Sequence, residues 1–270
     1  QKNFVTLAAM VKPKARSLFI EDMVGSGEGN TKRYDEYDVK TFGKAKREGQ
    51  GTTAASFGIG YNITITAKRI GMKAEVTWED RRYNRHRKVG GDLVSLSHFV
   101  PQRMELDLTH RLTFCSSTAY TDLDGDSVSI TVGDTLALAS SVHTVKHAST
   151  TYSSRISGDP LFSAGGLEAA EILTTTDILS NFGEKRVMSF NTIVTGPTPS
   201  VVNAVGKLMK SSADTTQNNS GVTNVYTGKY THVVLDYLAT TAAGAPDSTK
   251  KNWWFLIAND RAGAIGNGWQ

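Results

Sequence analysis

The sequence predicts an α+β fold in which an extended two-stranded arm precedes a long helix and a small α/β module. Three observations carry this prediction: two alternating segments around a glycine-rich connector, one apolar stripe of helical spacing, and several short apolar runs late in the chain. Of the 270 residues, 39% are hydrophobic and 21% are charged, which is typical of a folded protein and argues against disorder.

The arm is predicted from residues 32–41 and 61–78, in which polar residues alternate with aromatic or β-branched ones. The connector 42–60 has few apolar anchors and carries the cationic residues Lys44, Lys46 and Arg47. Two isolated strands are only marginally stable in water. We therefore expect this arm to gain order by packing against a neighbouring molecule.

A strongly basic turn follows the arm, containing Arg81, Arg82, Arg85, Arg87 and Lys88. One interpretation is a solvated charged surface. A second is an intersubunit site, since the planar guanidinium group pairs well with carboxylates such as those of Asp35, Glu36 and Asp38 on a neighbouring arm. A third is contact with nucleic acid, although no known DNA-reading motif is present.

The longest helix is predicted over residues 92–117, with Gly90 and Gly91 before it and Asp92 as its N-cap. Its apolar stripe recurs at steps of three and four residues, and Pro101 is expected to kink or restart it. The stripe consists of Leu93, Leu96, Phe99, Val100, Met104, Leu108, Leu112 and Cys115. His98 and His110 lie near it and are interpreted as ordinary helix-face histidines.

An acidic turn comes next, formed by Asp122, Asp124 and Asp126 around Gly125. This spacing is typical of the start of a calcium loop, but the twelfth position is Gly133, which supplies no carboxylate. We therefore favour a turn leading into a strand at residues 128–132 and predict no metal site.

The α/β module is predicted from three apolar runs, at residues 191–195, 231–235 and 253–258, which read as strands. Between the first two, a helix begins near Pro199, with Val201, Val202, Val205 and Leu208 at helical spacing. A polar loop at residues 211–223 follows this helix.

No motif for catalysis or cofactor binding is found, so neither an enzyme nor a cofactor is predicted. The nearest acidic set is Glu168, Glu171 and Asp177, of which the first two fit the solvated face of a helix better than an active site. No apolar run approaches the roughly 20 residues needed to span a bilayer. The lone Cys115 excludes an intramolecular disulfide and favours assembly in a reducing cytoplasm.

An ordered set of segments resembles the major capsid (head) proteins of tailed bacteriophages, especially the Mu-like branch. The resemblance covers most of residues 90–260 and rests on the order of the segments, since no single motif is diagnostic. The matching residues are 121–138, 141–144, 166–172, 207–214, 224–229 and 233–238.

The resemblance implies the division of a capsid subunit. Residues 1–30 would be an N-terminal arm, 31–78 an extended hairpin loop, and 79–164 a peripheral domain built on a spine helix at about 92–117. Residues 165–245 would form the axial domain, and 246–270 would return towards the peripheral domain.

It also implies the function of a structural protein that forms hexamers and pentamers of an icosahedral head around double-stranded DNA. The expected partners are the chain itself, portal and scaffolding proteins, decoration proteins and non-specifically bound DNA, with no membrane, in a virion assembled in the host cytoplasm. The alternative is the shell of an encapsulin-like compartment or a gene-transfer particle.

Some capsids of this family are joined by Lys–Asn isopeptide bonds. Lys44 and Lys46 lie in the region of such a lysine, and Asn252, Asn259 and Asn267 lie where an acceptor is expected. Neither partner aligns residue by residue, so no cross-link is predicted.

Overall fold

The computed structural model describes residues 14–19, 29–40, 42–52, 54, 57–83, 85–186, 188–213 and 222–258. Most of the predicted N-terminal arm, residues 1–30, lies outside the described residues. So does everything after residue 258, including Asn259 and Asn267. The described chain is a mixed α+β structure, as predicted. Its α-helices are α1 (Trp78–Arg82), α2 (His86–Thr113), α3 (Ala164–Ile172) and α4 (Pro199–Lys210).

The strands are β1 (Thr31–Val39), β2 (Phe57–Thr66), β3 (Ala119–Thr121), β4 (Ser127–Ser129), β5 (His143–Thr144), β6 (Thr151–Tyr152), β7 (Thr192–Thr195), β8 (Thr231–Val234) and β9 (Trp254–Ile257). Strands β1–β2, β3–β4 and β5–β6 form three antiparallel pairs, and the remaining strands form a sheet in the order β8-β7-β9. Short 3-10 turns at Ala15–Leu18 and Ser248–Lys250 and a π-helical turn at Leu173–Asp177 complete the described elements.

The predicted hairpin is present, but its second strand begins earlier and ends earlier than residues 61–78. The predicted connector, residues 42–60, includes Gly58 and Gly60. In the structure both glycines lie in β2, where a Cβ on Gly58 would come within 2.8 Å of the Phe182 ring. Glycine is needed there for close approach, not for a turn. Residues 67–77 are not a strand, and Trp78 begins α1.

The long helix α2 is shifted towards the N-terminus relative to the predicted span 92–117. Gly90 and Gly91 lie inside the helix, and its N-cap is Arg85 rather than Asp92. Pro101 lies within the helix and does not restart it.

The helix ends at Thr113, where the chain begins to make hydrogen bonds with segments that are distant in sequence. The Thr113 hydroxyl donates to the carbonyl of Leu238 at 3.0 Å, and Ala139 N–H donates to the carbonyl of Cys115 at 2.8 Å. Both contacts involve chain that lies far away in sequence, so local helix signals do not report them.

The predicted α/β module is confirmed, with all three strands and the helix within two residues of their predicted bounds. Strand β7 is central, parallel to β8 and antiparallel to β9, and all four of its side chains are buried. Ile193 packs with α3 and α4 on one face of the sheet, in a cluster with Phe162, Leu167, Val201, Val205, Leu208 and Tyr230.

The neighbouring residue, Val194, points to the opposite face and packs against the C-terminal end of α2, in a cluster with Ala15, Leu112, Leu235 and Leu238. Most of the buried residues of the long helix lie in its C-terminal half, although Ser97 is also buried. Leu93 and Val94 in its N-terminal part are each 47% exposed, so the predicted apolar stripe is only partly covered by the described chain.

The strand predicted at residues 128–132 is shorter, since β4 ends at Ser129. Val132 enters a turn instead: Thr135 N–H donates to its carbonyl at 2.9 Å, and Thr135 takes a positive φ of 67°. None of the described helices combines the length and the apolar character required to cross a membrane.

Candidate functional site: the hairpin and the basic elbow

Apolar residues recur along β2 of the hairpin: residues 57, 59, 61, 63 and 65 are Phe, Ile, Tyr, Ile and Ile. Tyr34 pairs with Ile63 and Tyr37 pairs with Ile59, although the two tyrosines are three residues apart and their partners four. A β-bulge explains the difference, because Glu36 of β1 lies opposite two residues of β2, Gly60 and Tyr61. The alternation of β2 is interrupted at this bulge, between Tyr61 and Ile59.

Asp38 and residues 59–61 of the hairpin are held by the same chain. The Tyr61 hydroxyl lies 2.9 Å from the Thr144 hydroxyl, and Asn181 N–H donates to the Asp38 carboxylate at 2.9 Å. The Lys146 ammonium donates to the carbonyl of Gly60, and His147 Nε2 lies 3.2 Å from the carbonyl of Ile59. This part of the arm therefore does not need a neighbouring molecule to be seated.

The loop end of the hairpin, here called the hairpin tip and comprising the described part of residues 37–59, has several exposed apolar side chains, although Asp38 and the backbone of Ile59 take part in the contacts above. Tyr37 is 68% exposed, Phe42 69%, Phe57 77% and Ile59 56%. Lys44, Lys46 and Arg47 are also exposed, in a connector without regular structure and without an ion-pair partner among the described residues. The sequence predicted these cations as contact residues, but the apolar residues beside them were not predicted, although the alternation that begins at Phe57 indicates them.

The second candidate surface, here called the basic elbow, comprises α1 and the first turn of α2, residues 78–88. Buried Asp80 organises it: its carboxylate accepts from the Thr77 hydroxyl at 2.8 Å and from Lys88 Nζ at 3.1 Å, and Arg85 lies 3.6 Å away. These hydrogen bonds, first that of Thr77 and then that of Lys88, lower the pKa of Asp80. The carboxylate therefore stays ionised and fixes the turn between α1 and α2.

Two arginines of the elbow also contact exposed aromatic rings. Arg82 stacks over the Trp78 ring at 4.9 Å and Arg85 over the Tyr83 ring at 5.8 Å, and both rings are exposed. Arg81, Arg82 and Arg87 have no acidic partner among the described residues. Exposed Trp, Tyr and Arg side chains together are typical of residues that anchor protein interfaces.

The acidic partners expected for the elbow already have contacts within their own chain. Asp35 pairs with Arg33 at 2.7 Å, Glu36 lies 3.8 Å from Arg186, and Asp38 accepts from Asn181. No described hydrogen bond or ion pair joins the elbow to the hairpin tip. Pairing between the elbow and a neighbouring arm stays a prediction.

The acidic turn is occupied by a lysine. The Lys68 ammonium lies 2.5 Å from Asp122, 2.7 Å from Asp124 and 2.8 Å from Asp126. The hydrogen bonds that it donates to these carboxylates, that to Asp122 first, raise the pKa of Lys68. Asp122 also accepts the backbone N–H groups of Asp124 and Asp126. Across the described residues, no group of three or more His, Cys, Asp or Glu side chains is arranged to hold a metal ion.

The other titratable residues singled out from sequence have structural surroundings. His98 is exposed, whereas His110 is buried between Phe114 and Tyr120, and burial lowers its pKa. Glu171 is paired with Lys229 at 2.8 Å and accepts from the Tyr230 hydroxyl. Cys115 is buried, and burial raises the pKa of its thiol to about 11, which makes it unreactive.

The part of the chain that the structure describes thus presents two surfaces with exposed side chains, the apolar residues of the hairpin tip and the arginine-rich elbow. Comparison with protein-family models, with curated proteins and with solved structures found no match.

Proposed function

We propose that this chain is the major capsid subunit of a tailed-phage head, which assembles through its hairpin tip and basic elbow into hexamers and pentamers around double-stranded DNA. The observation that carries the proposal is the exposure of Tyr37, Phe42, Phe57 and Ile59 on one hairpin. Contiguous exposed apolar residues of this kind mark interaction sites in soluble proteins. A hairpin that is held by its own chain at Asp38 and residues 59–61, while apolar side chains at its loop end stay exposed, suits an arm that reaches a neighbouring subunit.

The shape of α2 supports the same proposal. The helix has 28 residues, and its N-terminal part extends beyond the shared sheet with exposed apolar side chains. Exposed apolar side chains that lie together on a helix are typical of an interaction surface. A subunit of a closed shell can bury it against neighbours, where each standard interface covers roughly 1,600 Å².

Charge is consistent with a shell that encloses a polyanion. The chain carries a formal net charge of +4, and several cations of the hairpin tip and the elbow have no acidic partner among the described residues, namely Lys44, Lys46, Arg47, Arg81, Arg82 and Arg87. Such contacts neutralise phosphates without reading bases. Portal, scaffolding and decoration proteins are the further partners that a head of this type requires.

Negative-stain electron microscopy of the expressed chain and of the source particle tests the proposal. Capsomer rings or closed icosahedral shells support it, whereas monodisperse monomers under every salt and pH condition contradict it. Packaged double-stranded DNA in the source particle distinguishes a phage head from an encapsulin-like compartment, which holds protein cargo.

Matched variants connect assembly to the hairpin tip. Phe57→Ser removes the most exposed aromatic residue of the tip, while Leu123→Ser changes a 46% exposed residue in the β3–β4 turn. Both should fold, as judged by circular dichroism, because neither side chain is buried. We expect assembly to fail for Phe57→Ser only. Equal assembly of both variants would remove the tip from the mechanism.

A further inference from the structure

The link between the hairpin and the basic elbow has the character of a strand but is not part of a sheet. Residues 67–77 contain no helix, turn or bend, and every one of them is exposed. Ala67 N–H donates to the carbonyl of Asn30 at 2.7 Å, at the end of the β1–β2 pair. No described hydrogen bond involves a backbone N–H of residues 68–77 or a backbone carbonyl of residues 68–76. Residues 68–77, here called the open segment, therefore offer a row of donors and acceptors to a partner.

The side chains of the open segment alternate with a period of two. The even-numbered positions from 70 to 76 are apolar, namely Ile70, Met72, Ala74 and Val76. The odd-numbered positions between them are Gly71, Lys73 and Glu75. Lys73 Nζ lies 2.6 Å from Glu75 Oε1, so these two side chains share one side of the chain, as residues two apart do in a strand.

The apolar side of the open segment is left in water. Met72 is 64% exposed, and Ile70 and Val76 are each 38% exposed. An unpaired strand with an exposed apolar side is a template for a further strand, because backbone groups and side chains then find partners together. A link that only spans the distance between hairpin and elbow does not require apolar residues at every second position.

Both ends of the open segment are fixed by their own chain. At one end, Ala67 is bonded to Asn30. At the other, Thr77 is the N-cap of α1, and its hydroxyl accepts the Asp80 N–H at 3.2 Å. A segment held at both ends loses less conformational freedom on pairing than a free tail does, so its pairing costs less free energy.

The open segment is complementary to itself when two copies run antiparallel with Ala74 opposite Ala74. In that register, Lys73 of each copy lies opposite Glu75 of the other, and Met72 lies opposite Val76. Directly opposite residues of opposite charge, and directly opposite apolar residues, stabilise an antiparallel pair. Every charged and apolar position from 72 to 76 thus meets a position of matching character.

The neighbouring registers match less well. A pair centred on Lys73 would place two lysines directly opposite each other, which is destabilising. A pair centred on Met72 would place Lys73 opposite Gly71 and Val76 opposite Lys68. The register centred on Ala74 is therefore favoured by both charge and apolar contact.

We propose that the open segment pairs antiparallel with the open segment of a second copy of this chain, across a two-fold axis at Ala74. A two-fold contact of one surface with itself is the commonest way in which identical subunits associate. The pairing needs two copies and no closed shell, so it does not depend on the proposed capsid function. Two strands alone are only marginally stable in water, so the contact between isolated subunits is weak and is best measured by trapping it.

Cysteine variants of the full chain test the two-fold axis. The only natural cysteine, Cys115, is buried, so an introduced cysteine supplies the exposed thiol. Ala74→Cys should give a disulfide-linked dimer on a non-reducing gel, because residues directly opposite in an antiparallel pair lie within the Cα separation that a disulfide spans. Val76→Cys should give little dimer, since its two copies would be offset by roughly 13 Å along the strands. Leu123→Cys, at a 46% exposed position in the β3–β4 turn, is the matched control.

A mixture of two variants tests the register. Met72→Cys and Val76→Cys, oxidised together, should form a mixed dimer that exceeds the dimer of either variant alone. An affinity tag on one variant gives the mixed dimer its own mass. Equal dimer yields from Ala74→Cys, Val76→Cys and Leu123→Cys would overturn the proposal, because they would reflect random collision. A larger yield from Met72→Cys alone than from Ala74→Cys would also overturn it, because the axis would then lie elsewhere.

Charge reversal tests whether the contact is made between chains. In the Ala74→Cys background, Lys73→Glu and Glu75→Lys each place like charges opposite each other in a pair of identical chains, and the dimer yield should fall about tenfold. Circular dichroism should show both variants folded, since both side chains are exposed. An equimolar mixture of the two variants should recover the yield, because every carboxylate at these positions then lies opposite an ammonium group of the other chain.

The recovery cannot come from contacts within one subunit, because neither variant keeps the ion pair between positions 73 and 75 of its own chain. A mixture that cross-links as poorly as the separate variants contradicts the pairing. So do separate variants that cross-link as well as Ala74→Cys itself. All these results are read from pairs of subunits, so they stand or fall separately from the assembly of a shell.

Discussion

The hydroxyl of Tyr61 in β2 lies 2.9 Å from the hydroxyl of Thr144 in β5, and it is also 3.2 Å from the Thr144 carbonyl. The two residues are 83 positions apart in the chain. This contact helps to seat the hairpin on its own subunit, while the side chains of Tyr37, Phe42 and Phe57 stay exposed. The hairpin is therefore anchored and available for a partner at the same time.

Gly133→Ala tests how closely the hairpin base is packed. The added methyl group would lie 2.5 Å from the Tyr61 Cβ, so Tyr61 must move away from Thr144. We expect a loss of about 1–3 kcal/mol in the free energy of unfolding, measured by denaturant titration, and faster proteolysis of the hairpin. The control is Gly206→Ala in α4, which has no atom within 4 Å of the new Cβ. It should be neutral or stabilise by about 0.5–1 kcal/mol, and equal losses in both variants would refute close packing at Gly133.

Lys68→Ala tests the role of the lysine among three carboxylates. Without its ammonium group, Asp122, Asp124 and Asp126 repel one another, and the melting temperature should fall. Salt screens repulsion between exposed charges, so the decrease should be smaller at 1 M NaCl than at 0.05 M. Lys73→Ala, which removes the exposed pair with Glu75, is the control and should change little. A Lys68→Ala melting temperature equal to that of the wild type at low salt would contradict this role.

Glu105→Gln tests a buried carboxyl group that ties α2 to the turn Ala15–Leu18. Burial raises the pKa of Glu105 above its ordinary value, although its Oε2 accepts Ala15 N–H at 2.9 Å and this hydrogen bond opposes the shift. The folded state thus favours the protonated form, so stability is highest below the ordinary carboxyl pKa and decreases as the pH rises through the raised value. Glu105→Gln should remove this decrease in denaturant titrations between pH 4 and pH 7, whereas Glu168→Gln, at an exposed site, should retain it. The same slope in all three proteins would show that another group causes the effect.

The absence of covalent cross-links is tested by heating the assembled protein in detergent and denaturant. We expect a single band near 29.2 kDa, the mass of one chain. Lys44 and Lys46 are exposed at the hairpin tip, and Asn252 is only partly buried, so the band pattern alone decides this point. A ladder of multiples would demonstrate cross-linking.

Local patterns predicted the elements whose signals lie within a few residues. The alternation in β1, the spacing of Val201, Val205 and Leu208 in α4, and the apolar runs of β7, β8 and β9 all gave elements close to the observed ones. Each depends on burying one face of a short segment, and the order of apolar residues records that requirement.

The predicted bounds of strands and helices were wrong where glycines made the sequence pattern ambiguous. Glycine is unfavourable inside both strands and helices. Gly58 and Gly60 therefore fall in the predicted connector, and Gly90 and Gly91 fall before the predicted helix. In the structure, close approach of Phe182 and Asn181 explains the first pair. We found no contact that explains the second pair, which lies in open space inside α2.

The candidate site was predicted in part. Its cations, such as Arg82 and Lys46, were predicted from clusters of basic residues in the sequence. The exposed apolar residues Phe57 and Ile59 were not predicted, because both lie within the predicted connector. The pairing of Lys68 with the acidic turn, and the contact of His143 with Asp134 and Ser154, were not predicted at all.

The sequence by itself determined the mixed α+β class, the arm, the long helix and the strands of the central sheet, because these depend on periodic burial along a short stretch of chain. Only the tertiary structure decided where the hairpin is seated, where α2 ends and that His143 lies between Asp134 and Ser154. These features depend on pairs such as Tyr61 with Thr144 and Thr113 with Leu238, 83 and 125 residues apart. Such pairs leave no periodic signal, since they form only when the folded chain brings distant segments within hydrogen-bonding distance.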